Sequence, residues 1–209
     1  VHQGLKRIRA QKNRFGIQAL LQIANRKNNP LVTNDLGFAV APRLNAAGRL
    51  EDMSLGIECL LAENLVTALS MAQRLDELNK ERRDIENTMQ QQAIIALSRL
   101  QLTQNLPMGL CLHDASWHQG VIGIVASRIK EKIHRPVIAF ASISAHELKG
   151  SARSVPGLHI RDTLDAIAKR HPTLIQKFGG HAMAAGLSLH PEHYAAFNAA
   201  FATEVARHL

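Results

Sequence analysis

Side chains that suit phosphate binding alternate in the segment Lys149–Ser154. Residues 147–155 have the alternating character of a strand, in which side chains two residues apart share a face. Lys149, Ser151 and Arg153 therefore share one face, and a guanidinium beside a hydroxyl can bind a phosphate through several hydrogen bonds. The intervening residues are small (Gly150, Ala152 and Ser154). An ordinary solvated strand face above small residues fits the pattern equally well, so both interpretations stay open here.

A second candidate anion site is the segment 179–186, which begins Gly-Gly-His. Gly179 and Gly180 can adopt positive φ and present adjacent N–H groups to an anion. His181 would then serve as a donor to phosphate or as a proton-transfer group near neutral pH. Taken alone, such a segment is more often a simple turn before a strand.

His118 and Gly120 stand where a helix is predicted to begin. Residues 121–133 predict a helix after a strand at 108–114, and a helix N-terminus in that position is a natural anion site. The spacing of Gly120 and Gly123 is not that of a dinucleotide or Walker fingerprint, so neither cofactor is predicted. Helix initiation beside a surface histidine explains the same residues without a ligand.

The segment 42–49 places Arg43, Asn45 and Arg49 around a predicted small-residue turn. The two arginines either contact phosphates or cap neighbouring helices. The sequence does not decide between these roles.

No metal centre is recognisable. Hydrolysis of phosphodiesters by metal ions needs clustered carboxylates and histidines. The sequence contains neither D-x-D nor D-H-H, the adjacent acids Glu51 and Asp52 have no histidine near them, and HPEH at 190–193 has no nearby Cys or Asp. We therefore expect this chain to bind no metal by itself.

The charge of the chain is uneven. Residues 1–50 hold nine Lys or Arg and one acid, residues 51–104 five basic and nine acidic residues, and residues 105–209 eleven basic and seven acidic residues. Two basic regions flanking an acidic middle suit a polyanion such as nucleic acid. Solubility alone accounts for a basic excess equally well.

The composition is that of a globular protein with one large domain or two small ones, with 46% hydrophobic and 20% charged residues in 209. Aromatic residues make up only 4%, which argues against a base-stacking platform.

Cys59 and Cys111 lie in apolar contexts without metal-ligand spacing, so we expect buried free thiols in a reducing compartment, the cytoplasm. No apolar run is long enough to span a membrane. Val1 falls within a predicted helix, so we expect a piece of a longer protein.

Helices are predicted in the first half of the chain. One covers about 4–26, broken near Gly16 and ended by Asn28–Pro30, and a short helix or turn follows at Asp35–Val40. Residues 54–102 predict helix with a break at 63–64, where Asn64 can cap a new helix. Its middle, 76–92, is polar, which is typical of a helix that bridges two bodies through solvent. A coiled coil is disfavoured because its seam would contain polar residues (Asn79, Arg82 and Glu86).

After Pro107 strands alternate with helices, which predicts an α/β domain. The strands are predicted at 108–114, 136–143 and 147–155, and the helices at 121–133, 160–170 and 191–208.

Five segments, in this order, resemble the carboxy-terminal part of the core of the RecJ family, the single-strand-specific 5′→3′ DNA exonucleases of the DHH phosphoesterase superfamily. They are PRLNAAGR (42–49), LDELNKERRDIE (75–86), WHQGVIGIVASR (117–128), KGSARS (149–154) and KFGGHAMAAG (177–186). The resemblance extends over about residues 4–190.

The resemblance implies an α/β fold and its domain organisation. Residues 1–53 would be the end of a DHH lobe, 54–104 a connecting helix, and 105–209 a DHH-associated, substrate-binding lobe with a mixed sheet. Mn²⁺ or Mg²⁺ would be held by Asp and His motifs amino-terminal to Val1, and a nucleic-acid-binding OB domain would follow. The intact protein would act on single-stranded DNA in repair and recombination, and this piece alone would be inactive.

The resemblance also implies roles for individual residues. Ser151 and Arg153 match residues that grip substrate phosphates, and His181 would face the metal site as a candidate catalytic residue. The candidate phosphate-binding residues are Arg43, Asn45, Arg49, His118, Gly120, Ser151, Arg153, Ser154, Gly179 and Gly180.

Two other functions stay open. Oligoribonucleotide or cyclic-dinucleotide phosphodiesterases of the same superfamily share the Gly-Gly-His element, although they lack the segments at 42–49 and 79–83. A non-catalytic nucleic-acid-binding module would also explain the basic regions.

Overall fold

A computed structural model describes residues 1–26, 31–101 and 106–209, with only the backbone described at 99–101. It contains two compact units, Val1–Asp84 and Ile85–Leu209. The predicted helix end at Asn28–Pro30 and the predicted domain limit at 104 lie outside the described residues. The domain boundaries given above stay predictions.

The described part of the first unit is helical. Its elements are α1 (His2–Arg9), α2 (Phe15–Ile23), α3 (Thr33–Asp35), a π-helical turn (Leu36–Val40), α4 (Ala41–Leu50), α5 (Ser54–Leu61) and the start of α6 (Leu65–Gln101). Their apolar faces form one core; its fully buried side chains include Leu20, Leu21, Leu31, Cys59, Leu75 and Leu78.

The first predicted helix is broken near Gly16, as expected. The break lies between α1 and α2, where Gln11 has a φ of 55°, and α2 begins one residue before Gly16. Gly16 lies inside α2, and a Cβ there would overlap the carbonyl of Cys59 in α5. This glycine therefore allows two helices to pack closely.

Segment 42–49 is a second correction, because it is helical rather than a turn. It forms α4, with Pro42 in the first turn, where its missing N–H costs nothing. The alanines that suggested a turn, Ala46 and Ala47, are fully buried and let α4 pack against its neighbours.

The break before α6 is confirmed. Asn64 Oδ1 accepts a hydrogen bond of 2.9 Å from the N–H of Thr67, as an N-cap residue does. The middle of α6 is less solvent-exposed than its composition predicts, since Asn79 and Glu86 are 1% and 9% exposed.

The second unit has a five-stranded mixed sheet in the order β1-β2-β3-β5-β4. Its elements are β1 (Leu110–His113), α7 (Ile122–Ile133), β2 (Val137–Ser144), β3 (Glu147–Arg153), α8 (Ile160–Arg170), β4 (Lys177–Gly180), β5 (Ala184–Leu189), a 3-10 turn (Pro191–His193) and α9 (Tyr194–Val205). β1 and β2 are parallel and joined through α7, and the remaining pairs are antiparallel. The predicted α/β fold with a long helix and a mixed sheet is confirmed.

One face of this sheet packs against α8 and α9. Residues such as Ile138, Leu148 and Leu187 form its core with Phe197 and Phe201. On the opposite face α7 contacts β2 and β3. The part of that opposite face formed by β3, β5 and β4 is called here the open face; it consists of Lys149, Ser151, Arg153, Ala184, Gly186, Ser188, Lys177 and Gly179.

Both cysteines are buried free thiols, as predicted. Burial raises the pKa of Cys59, and that of Cys111 more strongly, so both thiols stay protonated. Within the described ranges no helix combines the length and apolar character needed to cross a membrane.

Candidate phosphate-binding site

β3 presents the predicted alternation. Gly150 and Ala152 are buried on the α8–α9 side, and a Cβ at Gly150 would lie 2.5 Å from the Phe140 ring. Ser151 and Arg153 lie on the open face and are half-buried. Small inward residues therefore let β3 sit close to the core while its polar side chains face outward.

Arg153 is held in place by its own strand. Its Nη1 donates to Ser151 Oγ at 3.0 Å and to the carbonyl of Ala152 at 2.8 Å. Because Ser151 Oγ accepts from the guanidinium, its own O–H can point toward a ligand. A cation and a hydroxyl donor thus lie side by side on the open face.

The start of α7 packs directly on this pair. A Cβ at Gly123 would lie 2.7 Å from Arg153 Nη2 and 2.9 Å from Ser151 Oγ. In the preceding loop, the N–H of Gly120 donates to His118 Nδ1 at 3.1 Å, which fixes the ring of this half-buried histidine. The two segments predicted separately to bind anions, 117–128 and 149–154, therefore meet.

The β4–β5 hairpin continues the open face. Ser151 pairs with Gly186, which in turn pairs with Gly179, so these three residues form one row across the sheet. Gly179 lies about 10 Å from Ser151, two strand spacings away. Since Gly186 and Gly179 have no side chain, β5 and β4 contribute only backbone to this row.

A neighbouring row starts at Arg153, which pairs with Ala184. The N–H of His181 donates to the carbonyl of Ala184 at 2.8 Å, so the exposed His181 lies at the edge of the same row. The register thus brings the Gly-Gly-His segment and the 149–154 segment to one end of the open face.

The two glycines before His181 differ. Gly180 has a φ of 151°, and a Cβ there would overlap the carbonyl of Ala184, so the fold itself requires glycine. A Cβ at Gly179 would meet no described atom within 4 Å. Gly179 is therefore dispensable for packing, and its missing side chain leaves room for a ligand to approach the backbone.

Ser154 is not brought to this face. It is 1% exposed, and its hydroxyl donates to the carbonyl of Leu158 at 2.8 Å. That bond fixes the turn after β3. A role in phosphate binding would require Ser154 to give up this partner.

In the first unit, Arg43 is engaged by the protein itself. Its Nη2 lies 2.7 Å from Asp76 Oδ1, and its Nη1 donates to the carbonyl of Ala39 at 2.6 Å. Burial opposes ionisation of Asp76, but a hydrogen bond from Lys80 and the charge of Arg43 outweigh it, so the pKa of Asp76 is lowered. This network links α4 to α6.

Asn45 and Arg49 are exposed on α4. Phosphate binding by these two residues and by Arg43 stays a prediction.

Other residues of the open face were not predicted as site residues from the sequence, among them Lys177, Gly186 and Ser188. Lys177 lies two residues before Gly179, and side chains two residues apart in a strand share a face. Lys177 could therefore have been assigned to this face if β4 had been predicted. Gly186 and Ser188 become neighbours of β3 only through long-range strand pairing.

The described residues do not provide a metal site. No group of three His, Cys, Asp or Glu side chains among them is arranged to hold an ion. In the HPEH segment the rings of His190 and His193 have centroids 5.8 Å apart, without a third ligand.

Comparison with known proteins gives consistent matches. The DHHA1 domain family matches residues 93–207. The single-stranded-DNA-specific exonuclease RecJ of Dickeya dadantii is 54% identical over 203 residues, which are 97% of this chain and 35% of that protein. RecJ of Escherichia coli is 52% identical over 200 residues, 95% of this chain and 35% of that protein.

Among solved structures, that of RecJ from Thermus thermophilus in complex with Mg²⁺ has a TM-score of 0.80 and 30% identity, covering 98% of this chain and 30% of that one. The chain thus spans about a third of the length of the curated relatives it matches.

Proposed function

The chain belongs to the DHHA1 domain family, and from this premise we propose that its open face binds the phosphates of single-stranded DNA within a larger exonuclease. The resemblance to the RecJ family is confirmed, since relatives of that name are 54% and 52% identical to this chain over nearly its whole length. One observation carries the proposal: Ser151 and Arg153 meet the start of α7, and the strand residue beside Ser151 is a glycine, Gly186.

The contribution of this chain to hydrolysis is binding and electrostatic stabilisation. Arg153 and the Ser151 O–H donate to the non-bridging oxygens of the scissile phosphodiester and orient it. As water attacks the phosphorus, negative charge grows on these oxygens, and donors already in place stabilise it without reorganisation. His181, at the other end of the row of Arg153, donates to the same phosphate or moves a proton at the leaving oxygen.

The metal of the reaction is proposed to be held outside this chain. The residues described here do not fit a metal site, because no three potential ligands cluster. A Mg²⁺ or Mn²⁺ ion would be held by Asp and His motifs amino-terminal to Val1, and it would activate the attacking water. This chain alone would then bind DNA without cutting it.

The 5′→3′ direction, a role in DNA repair and recombination, and a cytoplasmic location are parts of the same proposal. They rest on the resemblance and, for the location, on the two free thiols.

Substrate preference tests the proposal. Full-length enzyme, supplied with Mn²⁺, is given long 5′-phosphorylated single-stranded DNA, oligoribonucleotides and cyclic dinucleotides. We expect preferred turnover of the long DNA. Preferred turnover of dinucleotides would favour the phosphodiesterase alternative, and binding without any cleavage would favour the non-catalytic module.

A further inference from the structure

A third row of the open face lies beyond the row of Ser151. Lys149 pairs with Ser188, which pairs with Lys177, so the serine stands between two lysines. The lysine Cα atoms are about 10 Å apart, two strand spacings. Along β3, Lys149 is two residues and about 7 Å from Ser151.

These residues border a pocket, called here the Lys149–Lys177 pocket. It has a volume of about 330 Å³, and it is lined by Lys149, Gly150, Lys177, Phe178, Gly179, Gly186, Leu187 and Ser188. A Cβ at Gly186 would meet only the carbonyl of Gly150, at 3.9 Å. The floor is therefore backbone that a ligand can approach closely.

Ser188 lies between the two lysines of the pocket. It is 2% exposed. The backbone of Ser188 is hydrogen-bonded, through its carbonyl to the N–H of Gln176 and through the ladder. Its side chain lines the pocket. A hydroxyl is both a donor and an acceptor, so it can donate to an oxygen of a ligand held there.

The charge of the pocket favours an anion. Lys149 Nζ donates to Gln119 Oε1 at 3.3 Å, and Lys177 Nζ lies 3.7 Å from Glu147 Oε1. Both contacts are long, and the Lys177 side chain is 76% exposed, so both ammonium groups can turn toward a ligand. Two lysines against one carboxylate leave a positive excess.

We propose that the Lys149–Lys177 pocket is a second phosphate subsite, which holds the phosphate adjacent to the one bound at Ser151 and Arg153. The inference rests on the proposed function and extends it, because it assigns the open face two successive phosphates of one strand. The Ser188 hydroxyl donates to a phosphate oxygen, and the two lysines neutralise its charge. The enzyme thereby grips a chain of nucleotides more strongly than a single nucleotide.

Binding by the full-length protein, with a chelator present to prevent cleavage, tests the subsite. The probes are a deoxynucleoside 5′-monophosphate and a longer 5′-phosphorylated single-stranded oligonucleotide. The variants are Lys177→Met, Ser188→Ala and Arg153→Ala. Lys169→Met is the matched control, since Lys169 pairs with Asp165 in α8, on the opposite side of the sheet.

We expect Lys177→Met and Ser188→Ala to weaken binding of the oligonucleotide and to leave the monophosphate unchanged. Loss of the Ser188 hydrogen bond should weaken oligonucleotide binding about tenfold. Lys177→Met should lower the slope of log affinity against log salt by about 0.7, the value for one phosphate contact on a single strand. Arg153→Ala should weaken both probes, and Lys169→Met neither.

The outcomes separate the two proposals. Wild-type affinity for the oligonucleotide in Lys177→Met and Ser188→Ala, while Arg153→Ala weakens it, would overturn the second subsite alone. Equal weakening of both probes by Lys177→Met would also overturn it, because the lysine would then belong to the first subsite. Failure of the wild-type protein to bind the oligonucleotide would overturn the proposed function. Lys177 is exposed, so its variant tests the subsite even if Ser188→Ala does not fold.

Discussion

Gly123 packs directly against Arg153: a Cβ on the glycine would lie 2.7 Å from the Nη2 atom of the arginine. A real Cβ does not come so close to another atom without displacing it. The first turn of α7 can therefore rest on the guanidinium only because residue 123 is glycine. This relationship makes the helix start a positioning device for the cation of the open face.

Replacing Gly123 by alanine should lower DNA cleavage without a parallel loss of thermal stability. In Gly123→Ala we expect Arg153 to be displaced and DNA cleavage by the full-length enzyme to fall about tenfold or more, as geometry at a reacting phosphate is sensitive to small shifts. Thermal stability should not fall in parallel, since alanine favours helix over glycine by about 1 kcal/mol. Cleavage rates and melting temperatures check both parts.

Gly4→Ala is the matched control, because Gly4 lies in α1 and a Cβ there meets nothing within 4 Å. Normal cleavage by Gly123→Ala would show that the contact does not position Arg153.

Removal of the guanidinium itself should be more severe. In Arg153→Ala we expect kcat to fall about 100-fold or more, the usual loss for one preorganised donor at a developing charge. Arg153→Lys should restore little, because the single nitrogen of an ammonium cannot bind two phosphate oxygens side by side while it also donates to Ser151 and Ala152 as the guanidinium does. Arg161→Ala, an exposed change on α8, serves as the control for folding and charge. Near-normal turnover of folded Arg153→Ala would contradict the assignment.

The two neighbouring glycines should behave in opposite ways. Gly179→Val places a side chain into open space, so the fold should tolerate it while oligonucleotide binding is lost. Gly180→Ala must accept a φ of 151° and a clash with Ala184, so it should cost about 1–3 kcal/mol or more of stability. Chemical denaturation and fluorescence anisotropy distinguish the two effects. Tight binding by Gly179→Val would mean that no ligand passes over this row.

The ion pair between Arg43 and Asp76 should stabilise the first unit in a pH-dependent way. Because the pKa of Asp76 is lowered on folding, its contribution is complete above the usual value of 3.8 and is lost as pH falls through the folded pKa. Asp76→Asn should remove that acid sensitivity. It should also cost about 2–4 kcal/mol near neutral pH, since it leaves the largely buried Arg43 without its counter-charge.

Urea unfolding of wild type and Asp76→Asn, near neutral pH and below pH 3.8, measures both quantities. Equal stability of the two proteins near neutral pH would contradict the structural role of the pair. Glu77→Gln is a suitable control, because the contact of Glu77 with Arg74 on α6 is exposed.

Local sequence patterns predicted much of the second unit. The strand at 147–155 was recognisable from the alternation of Lys149, Ser151 and Arg153 with small residues, and that same alternation defined the face that carries the candidate site. Such information lies within a few neighbouring residues. The segments around Gly120 and Gly179 likewise gave a local signal, a predicted helix N-terminus in the first and two adjacent glycines in the second, and anion binding by both stays a prediction.

Features that depend on distant residues were missed. Segment 42–49 looked like a turn because its alanines are small, but they are small because α4 packs closely within the first unit. No local pattern singled out Ser188 as a site residue, because it comes to lie beside Lys149 and Lys177 only when β5 pairs with β3 and β4. Strand order is fixed by long-range packing, which a local pattern does not contain.

A structure of the full-length protein with a phosphorothioate-protected, 5′-phosphorylated oligonucleotide would test the central claim most directly. We expect one phosphate within hydrogen-bonding distance, about 3 Å, of Arg153 and of the Ser151 hydroxyl, above the backbone of Gly186. Phosphates bound elsewhere, with the open face in contact only with solvent or protein, would contradict the account.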